Sequence, residues 1–170
     1  PQSWAYCFDA QPHFQYNEEF KHRPGIREKA KKSGFSETMS LQGSCFMVAR
    51  ENYWDLNLCD ESLGSWGNQG LEVACKTWLS GRRVLVNHYT WYAHLFRTQG
   101  GDFCFPYPQS AKAQKKTKEK TWNLFFGKWP QQIYPVSWLV KKFWPIMGWD
   151  DADLEKLIEK EKAAGLNLNG

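Results

Sequence analysis

Apolar positions recur at helical spacing most regularly in one stretch of the chain. Leu71, Ala74, Cys75, Trp78 and Leu79 lie three and four residues apart and share one stripe of a helix. Asn68 can cap the start of that stretch and Gly81 can end it. The pattern predicts a helix over 68–80, packed by its Leu71/Ala74/Trp78 stripe. Gln69, Glu72 and Lys76 fall opposite the stripe, Glu72 and Lys76 one turn apart, and are expected at the surface. Val84, Leu85 and Val86 form an apolar run too short for a helix and predict a buried strand over 83–87. Tyr92, His94 and Phe96 then alternate with Ala93, Leu95 and Arg97.

Other elements group around this centre. Trp4, Tyr6 and Phe8 alternate like a strand, Pro12 interrupts, and Pro24-Gly25 turns a charged loop. Residues 38–48 are a second strand candidate, and 44–48 are expected in one small mixed sheet with 83–87. Gly43 interrupts this strand, as a glycine does at a bulge, a packing contact or a close approach to a ligand. Arg50 to Leu56 predicts a short helix presenting Tyr53 and Trp54 to the core. Asp60-Glu61 and Gly64 to Gly67 predict a lid-like acidic loop. Glycines, prolines and Lys112, Lys115, Lys116, Lys118 and Lys120 mark 98–121 as loop and solvated linker, or as a contact for an anionic partner. Two helices close the chain. One begins at Pro135 and carries Val136, Leu139, Val140, Phe143 and Trp144; the other is capped by Asp150 and ends at Gly165. Both are packing elements whose exposed tryptophans could dock a missing domain. The divisions expected are 1–110, a basic linker over 111–134, and a helical extension over 135–170.

Composition narrows the classes. At 170 residues the chain can build one domain with a real core. It opens on proline, as expected of a segment excised from a longer protein or of a processed chain. No stretch is long and apolar enough to span a membrane, and no signal peptide is evident. A net charge of +4 permits phosphate contacts without demanding nucleic acid, and ten tryptophans suit a core or stacking on sugars and bases. Five cysteines with no Cys-x-x-Cys are expected as reduced, mostly buried thiols of a cytoplasmic protein, with no zinc site. Asp9 and His13 are expected as a turn aspartate and a surface histidine.

A further pattern lies in the motifs. Trp66-Gly67, Gly70-Leu71-Glu72, Trp78-Leu79-Ser80-Gly81 and His94-Leu95-Phe96-Arg97 follow Met39, Gly43, Phe46 and Tyr53-Trp54. In this order, over about residues 36–107, they resemble the second half of a metal-dependent GT-A glycosyltransferase. They are similar to polypeptide N-acetylgalactosaminyltransferases and to bacterial or phage family 2 transferases. The resemblance implies an α/β fold: a partial GT-A-like (nucleotide-diphospho-sugar transferase) unit with a small mixed sheet flanked by helices, plus the helical C-terminal extension. It implies sugar transfer from a nucleotide-sugar donor to an unknown acceptor (protein, glycan, lipid or modified DNA), assisted by Mn²⁺ or Mg²⁺. By the same resemblance His94 is a metal ligand and Arg97 contacts the donor diphosphate. Trp66 and Gly67 close over donor or acceptor, and Gly43 borders the sugar pocket. Glu72 orients the acceptor hydroxyl or acts as base. Gln69 stands where the family has a glutamate, and an amide can position a hydroxyl but not deprotonate it.

Each role has a plainer counterpart. His94 also fits an aromatic cluster, Glu72 a partner for Lys76, and Gly43 a packing position. The strand–helix units and the Asp-x-Asp or Asp-x-His that precede this half in the family are absent, so the isolated segment holds half a site and is expected to be inactive or very weak. Two alternatives stay open: a non-catalytic sugar- or nucleotide-binding module, and a nucleic-acid-interaction module using the lysine run and the aromatics.

Overall fold

The computed structural model describes residues 3–64, 67–98, 100–105 and 110–167. The architecture is mixed α and β: two small antiparallel sheets and seven α-helices among the described residues. Strand β1 (Tyr6–Phe8) and strand β2 (Phe14–Tyr16) form a hairpin, with Tyr6 opposite Tyr16 and Phe8 opposite Phe14. Helices α1 (Glu18–His22) and α2 (Ile26–Ser33) lead to strand β3 (Phe35–Glu37). Helix α3 (Arg50–Asp55) and a 3-10 turn (Glu61–Leu63) precede the central helix α4 (Gln69–Leu79). Strand β4 (Leu85–Asn87) pairs antiparallel with β3, Ser36 opposite Val86. Helices α5 (Ala111–Leu124), α6 (Val136–Phe143) and α7 (Asp151–Ala163) complete the chain.

The predicted helix over 68–80 is α4, with Asn68 at its N-cap and Gly81 beyond its last turn. Its stripe meets α6, where Val136, Leu139, Val140 and Phe143 are buried. Trp78 lies at the junction. Its ring packs edge-on against Phe143 at 5.6 Å between centroids, and its indole N–H donates to the Thr38 carbonyl at 3.0 Å. Burying an aromatic of this size stabilises only if its polar N–H finds an acceptor, which Thr38 supplies.

The two sheets meet through residues 38–40. The Tyr6 N–H donates to Thr38 Oγ1, the Ser40 N–H donates to the Tyr6 carbonyl, and the Thr38 N–H donates to the Val84 carbonyl. The C-terminal helices close onto the same core. Ile133 and Tyr134 donate backbone N–H groups to the Leu79 carbonyl at the end of α4, and the Trp149 indole donates to the Phe8 carbonyl at 2.8 Å. Arg23 donates to the carbonyls of Phe143, Trp144 and Pro145 at the end of α6, where a cation complements the helix dipole.

Several expectations are corrected. Residues 44–48 form no strand, so β4 pairs with β3 and the sheets are antiparallel, not mixed. Of the 84–86 run only Val84 is buried. Trp54 is 68 % exposed; Tyr53 alone on that helix packs against the core. The lysine-rich stretch is helical, because Ser110 caps it and Thr117 and Thr121 turn inward. The tryptophans of the last fifty residues are occupied rather than free: Trp129 is buried, Trp138 stacks on Tyr134 at 4.3 Å, and Trp149 holds Phe8. The five cysteines are free thiols, but Cys45 and Cys104 are exposed. No helix among the described residues is long and apolar enough to cross a membrane.

Candidate functional site

Two separate segments meet the N-terminal part of α4, and a third is tied to the first of them. The first is residues 41–44, pressed against the helix. A Cβ on Gly70 would lie 2.0 Å from the Leu41 carbonyl oxygen, so only glycine permits this approach. A Cβ on Gly43 would stand 3.1 Å from the Gln69 side chain and 3.3 Å from the Gly70 nitrogen. Gly43 thus lies beside Gln69. In the sequence Gly70 stands out only as part of the Gly70-Leu71-Glu72 motif. Its signal was a glycine inside a helical pattern, which lowers helix propensity by about 1 kcal/mol and so points to a close approach.

The second segment is residues 57–60. Glu72 and Lys76, expected at the surface, are buried at 4 % and 1 % exposure. They form an ion pair at 2.7 Å. The same Glu72 Oε1 accepts the Asp60 N–H at 3.1 Å, and Lys76 Nζ donates to the Asn57 carbonyl at 2.5 Å. The pair therefore clamps a loop in which Asn57 and Cys59, neither of them glycine, hold φ values of +47° and +60°. Asp60 in turn caps the 3-10 turn by accepting the Ser62 N–H. Its carboxyl stays below the usual range: burial raises it, and the Ser62 bonds and the Lys76 charge outweigh that. Gln69 is exposed, with its amide nitrogen 2.9 Å from Cys59 Sγ. The surface prediction failed because a helix pattern cannot show that a second loop crosses the polar face.

The third segment is the open stretch 88–98. Tyr92 ties it down: its hydroxyl bonds Ser44 Oγ at 2.9 Å and Gln42 Oε1 at 2.7 Å. Two residues on, His94 is exposed and packs edge-to-face on Phe96 at 4.2 Å. Arg97 donates to the Cys104 carbonyl and lies over the Phe103 ring at 4.7 Å. Tyr89, Trp91, Leu95 and Phe96 are exposed beside them. No hydrogen bond or ion pair joins His94 or Arg97 to Gln69 or Glu72. Gly67 is exposed with φ +109°, and a Cβ added there would meet nothing within 4 Å. Trp66 lies outside the described residues.

Among the described residues no group of three or more His, Cys, Asp or Glu side chains is placed to hold a metal ion. Asp9 and His13 have another task. The Asp9 carboxylate accepts the N–H groups of Gln11 and His13 and the Gln15 amide, closing the β1–β2 turn. A hollow lined by Lys29, Ser33, Glu37 and Arg83, among others, includes none of the candidate residues.

No protein-family model matches the chain, and no solved structure matches it. Curated relatives match part of it. Human N-acetylgalactosaminyltransferase 7 is 30 % identical over 61 residues, 36 % of this chain and 9 % of that protein. The Caenorhabditis elegans probable N-acetylgalactosaminyltransferase 6 is 23 % identical over 105 residues, 62 % of this chain and 17 % of its own. Drosophila melanogaster polypeptide N-acetylgalactosaminyltransferase 8 is 32 % identical over 76 residues, 45 % of this chain and 12 % of its own. The chain thus has distant partial similarity to glycosyltransferases and spans less than a fifth of the length of these three.

Proposed function

We propose that this chain forms the acceptor side and part of the donor side of a GT-A-type glycosyltransferase site, transferring a sugar from a nucleotide-sugar donor. The observation that supports it is the convergence at the start of α4. Gly43, Gln69 and Gly70 meet there, and Tyr92, two residues before His94, bonds to Gln42 and Ser44 on either side of Gly43. The partial relatives are named as sugar transferases, which agrees with this reading.

Within it, Gln69 presents an amide at the surface that can hydrogen-bond a sugar or acceptor hydroxyl. Arg97 carries positive charge suited to a diphosphate. The exposed rings of Trp91 and Phe96 offer apolar faces to a sugar or acceptor. Glu72 sets the shape of loop 57–60 while closed by Lys76, and reaches an acceptor only if that loop lifts. A divalent ion such as Mn²⁺ would offset charge on the leaving diphosphate. His94 fits as one neutral imidazole ligand on an accessible loop, with the remaining ligands supplied from beyond the described residues.

The test uses the complete protein with nucleotide-sugar donors and Mn²⁺. Donor hydrolysis or transfer should be measurable. His94→Ala should weaken Mn²⁺ binding, read by calorimetry, and reduce turnover by a factor on the order of a hundred. Metal binding unchanged by His94→Ala would remove His94 from the site. Donor binding with no turnover would replace transfer by the non-catalytic binding module.

A further inference from the structure

We propose that helix α5 and the β1–β2 hairpin together form a binding surface for single-stranded nucleic acid. This inference does not rest on the sugar-transfer reading. It begins with charge. The chain has 22 Lys and Arg against 18 Asp and Glu. Helix α5 holds five lysines and one glutamate, leaving seventeen of each sign elsewhere, so the whole net charge of +4 resides in this helix.

The lysines do not sit where helix stability would place them. Cations favour the last turn of a helix and oppose its first. Helix α5 has no basic residue in its last turn and no acidic residue in its first, while Lys112 is its second residue. Lys112, Lys115, Lys116 and Lys120 are exposed. Glu119 stands 3.9 Å from Lys115, too distant and too exposed to neutralise the set.

The hairpin that touches α5 carries exposed rings. Tyr6, Phe14 and Tyr16 form a cluster on the hairpin, with centroids 5.3 to 5.9 Å apart. Phe14 is 39 % and Tyr16 41 % exposed, so two aromatic side chains are open to a base. The hairpin turn is fixed to α5 directly. Lys118 Nζ lies 2.6 Å from His13 Nε2, and His13 Nδ1 lies 3.3 Å from Asp9 Oδ2. An ammonium only donates, so Nε2 accepts and Nδ1 carries its proton toward Asp9. The helix that carries the lysines and the hairpin that carries the rings are therefore in direct contact, through Lys118–His13 and through Phe8 on Trp122.

A flexible polyanion with exposed bases matches both parts. Insertion into a lipid surface does not, because the outer face of α5 carries no apolar residue larger than alanine and its apolar side is packed against the protein. A polyanion without bases would engage the lysines and leave the rings unused.

The probe is a fluorescein-labelled oligothymidylate longer than a ~16-nucleotide site, titrated with the 170-residue chain and followed by anisotropy. Three or four lysine contacts predict a slope of log K against log[salt] of about −2 to −3. Replacing Lys112, Lys115 and Lys116 together by glutamine should reduce that slope by about 2 and weaken low-salt binding by ten-fold or more. Phe14→Ala with Tyr16→Ala should weaken binding about ten-fold and leave the slope unchanged. Circular dichroism checks the fold, and if the double alanine variant unfolds, Phe14→Leu keeps the volume without the aromatic face. Three results would each overturn the proposal: no binding at low salt, ring variants that bind like the parent, or equal affinity for a duplex of the same length. Lysine variants that lower affinity only for phosphatidylserine vesicles would overturn it as well.

Discussion

Lys76→Met isolates the clamp that holds the candidate site. Methionine keeps most of the apolar stem of Lys76 and removes its charge. Glu72 is then left 4 % exposed with the Asp60 N–H as its remaining partner. One hydrogen bond to a charged acceptor contributes about 1.5–3 kcal/mol net. Removing one partner of a buried pair costs about 3–5 kcal/mol. A loss near 3 kcal/mol is therefore expected, a large part of the ~5–15 kcal/mol that holds a domain of this size. The companion variant replaces both groups, Glu72→Gln with Lys76→Met. Its amide oxygen still accepts the Asp60 N–H, and no charge is buried. It should recover about 2 kcal/mol of the loss.

Urea titration followed by circular dichroism gives both free energies, and the two single variants complete a double-mutant cycle. A second reading comes from Cys59, which sits in the clamped loop against Gln69. Thiol labelling resolved by peptide mass should show Cys59 modified faster in Lys76→Met, with exposed Cys45 and Cys104 as internal references. A Lys76→Met loss below ~1 kcal/mol, or a double variant no more stable than Lys76→Met, would refute the idea that the pair acts as a buried clamp.

Gly70→Ala should lower stability by at least ~1–3 kcal/mol, because the new methyl meets the Leu41 carbonyl at 2.0 Å; in an open helix the same change would stabilise by about 1 kcal/mol, so the sign of the melting shift decides. Two carboxylates should give opposite pH dependences. Asp9 is held below its ordinary pKa of 3.8: burial raises it, but the bonds from His13, Gln15 and Gln11 outweigh burial. Its contribution is present above that value and lost as pH falls through the lowered one, and Asp9→Asn should flatten the acid side of a stability profile. Glu161 is raised above 4.5 by burial at the α6 N-terminus, partly offset by Ser137. Its contribution is full below 4.5 and declines as pH rises through the raised value, so Glu161→Gln should remove a loss of stability on that side. Melting temperatures from pH 3 to 8 test both, and parallel profiles for parent and variants would contradict the assignments.

The legible part of the fold was the part set by local rules. The α4 stripe, the Asp150 cap and the helix after Pro135 follow from spacing and capping chemistry, and each stands within a residue of its predicted place. Trp149 and Arg23 show what was not legible. Each reaches a backbone carbonyl more than a hundred residues away, and no local pattern encodes such a partner. The error over 44–48 has the same origin. Cys45-Phe46-Met47-Val48 is apolar enough for a strand, yet no strand pairs with it, and Met47 is 98 % exposed. The contact between Gly43 and Gln69 was not legible, because the two lie twenty-six residues apart in separate elements, and Tyr92, which ties the His94 segment to Gln42 and Ser44, carried no signal beyond alternation.

Glu72 joins these two levels. A general base must come within about 2.6–3.2 Å of the hydroxyl it deprotonates. Its carboxylate is instead closed by an ammonium and a backbone N–H, inside the loop that carries Asn57 and Cys59 at positive φ. Freeing it would break the Asp60 bond, strand Lys76 without its counter-charge, and release the strain in that loop. Gln69 needs no such opening, since it is already at the surface and touches Gly43 and Cys59. The geometry thus divides the first turns of α4 into a buried acid that holds loop 57–60 and an exposed amide at the surface. Gly70 lets the 41–44 segment press onto those turns, and the side chains of Gln42 and Ser44 on that segment hold the Tyr92 hydroxyl two residues before His94.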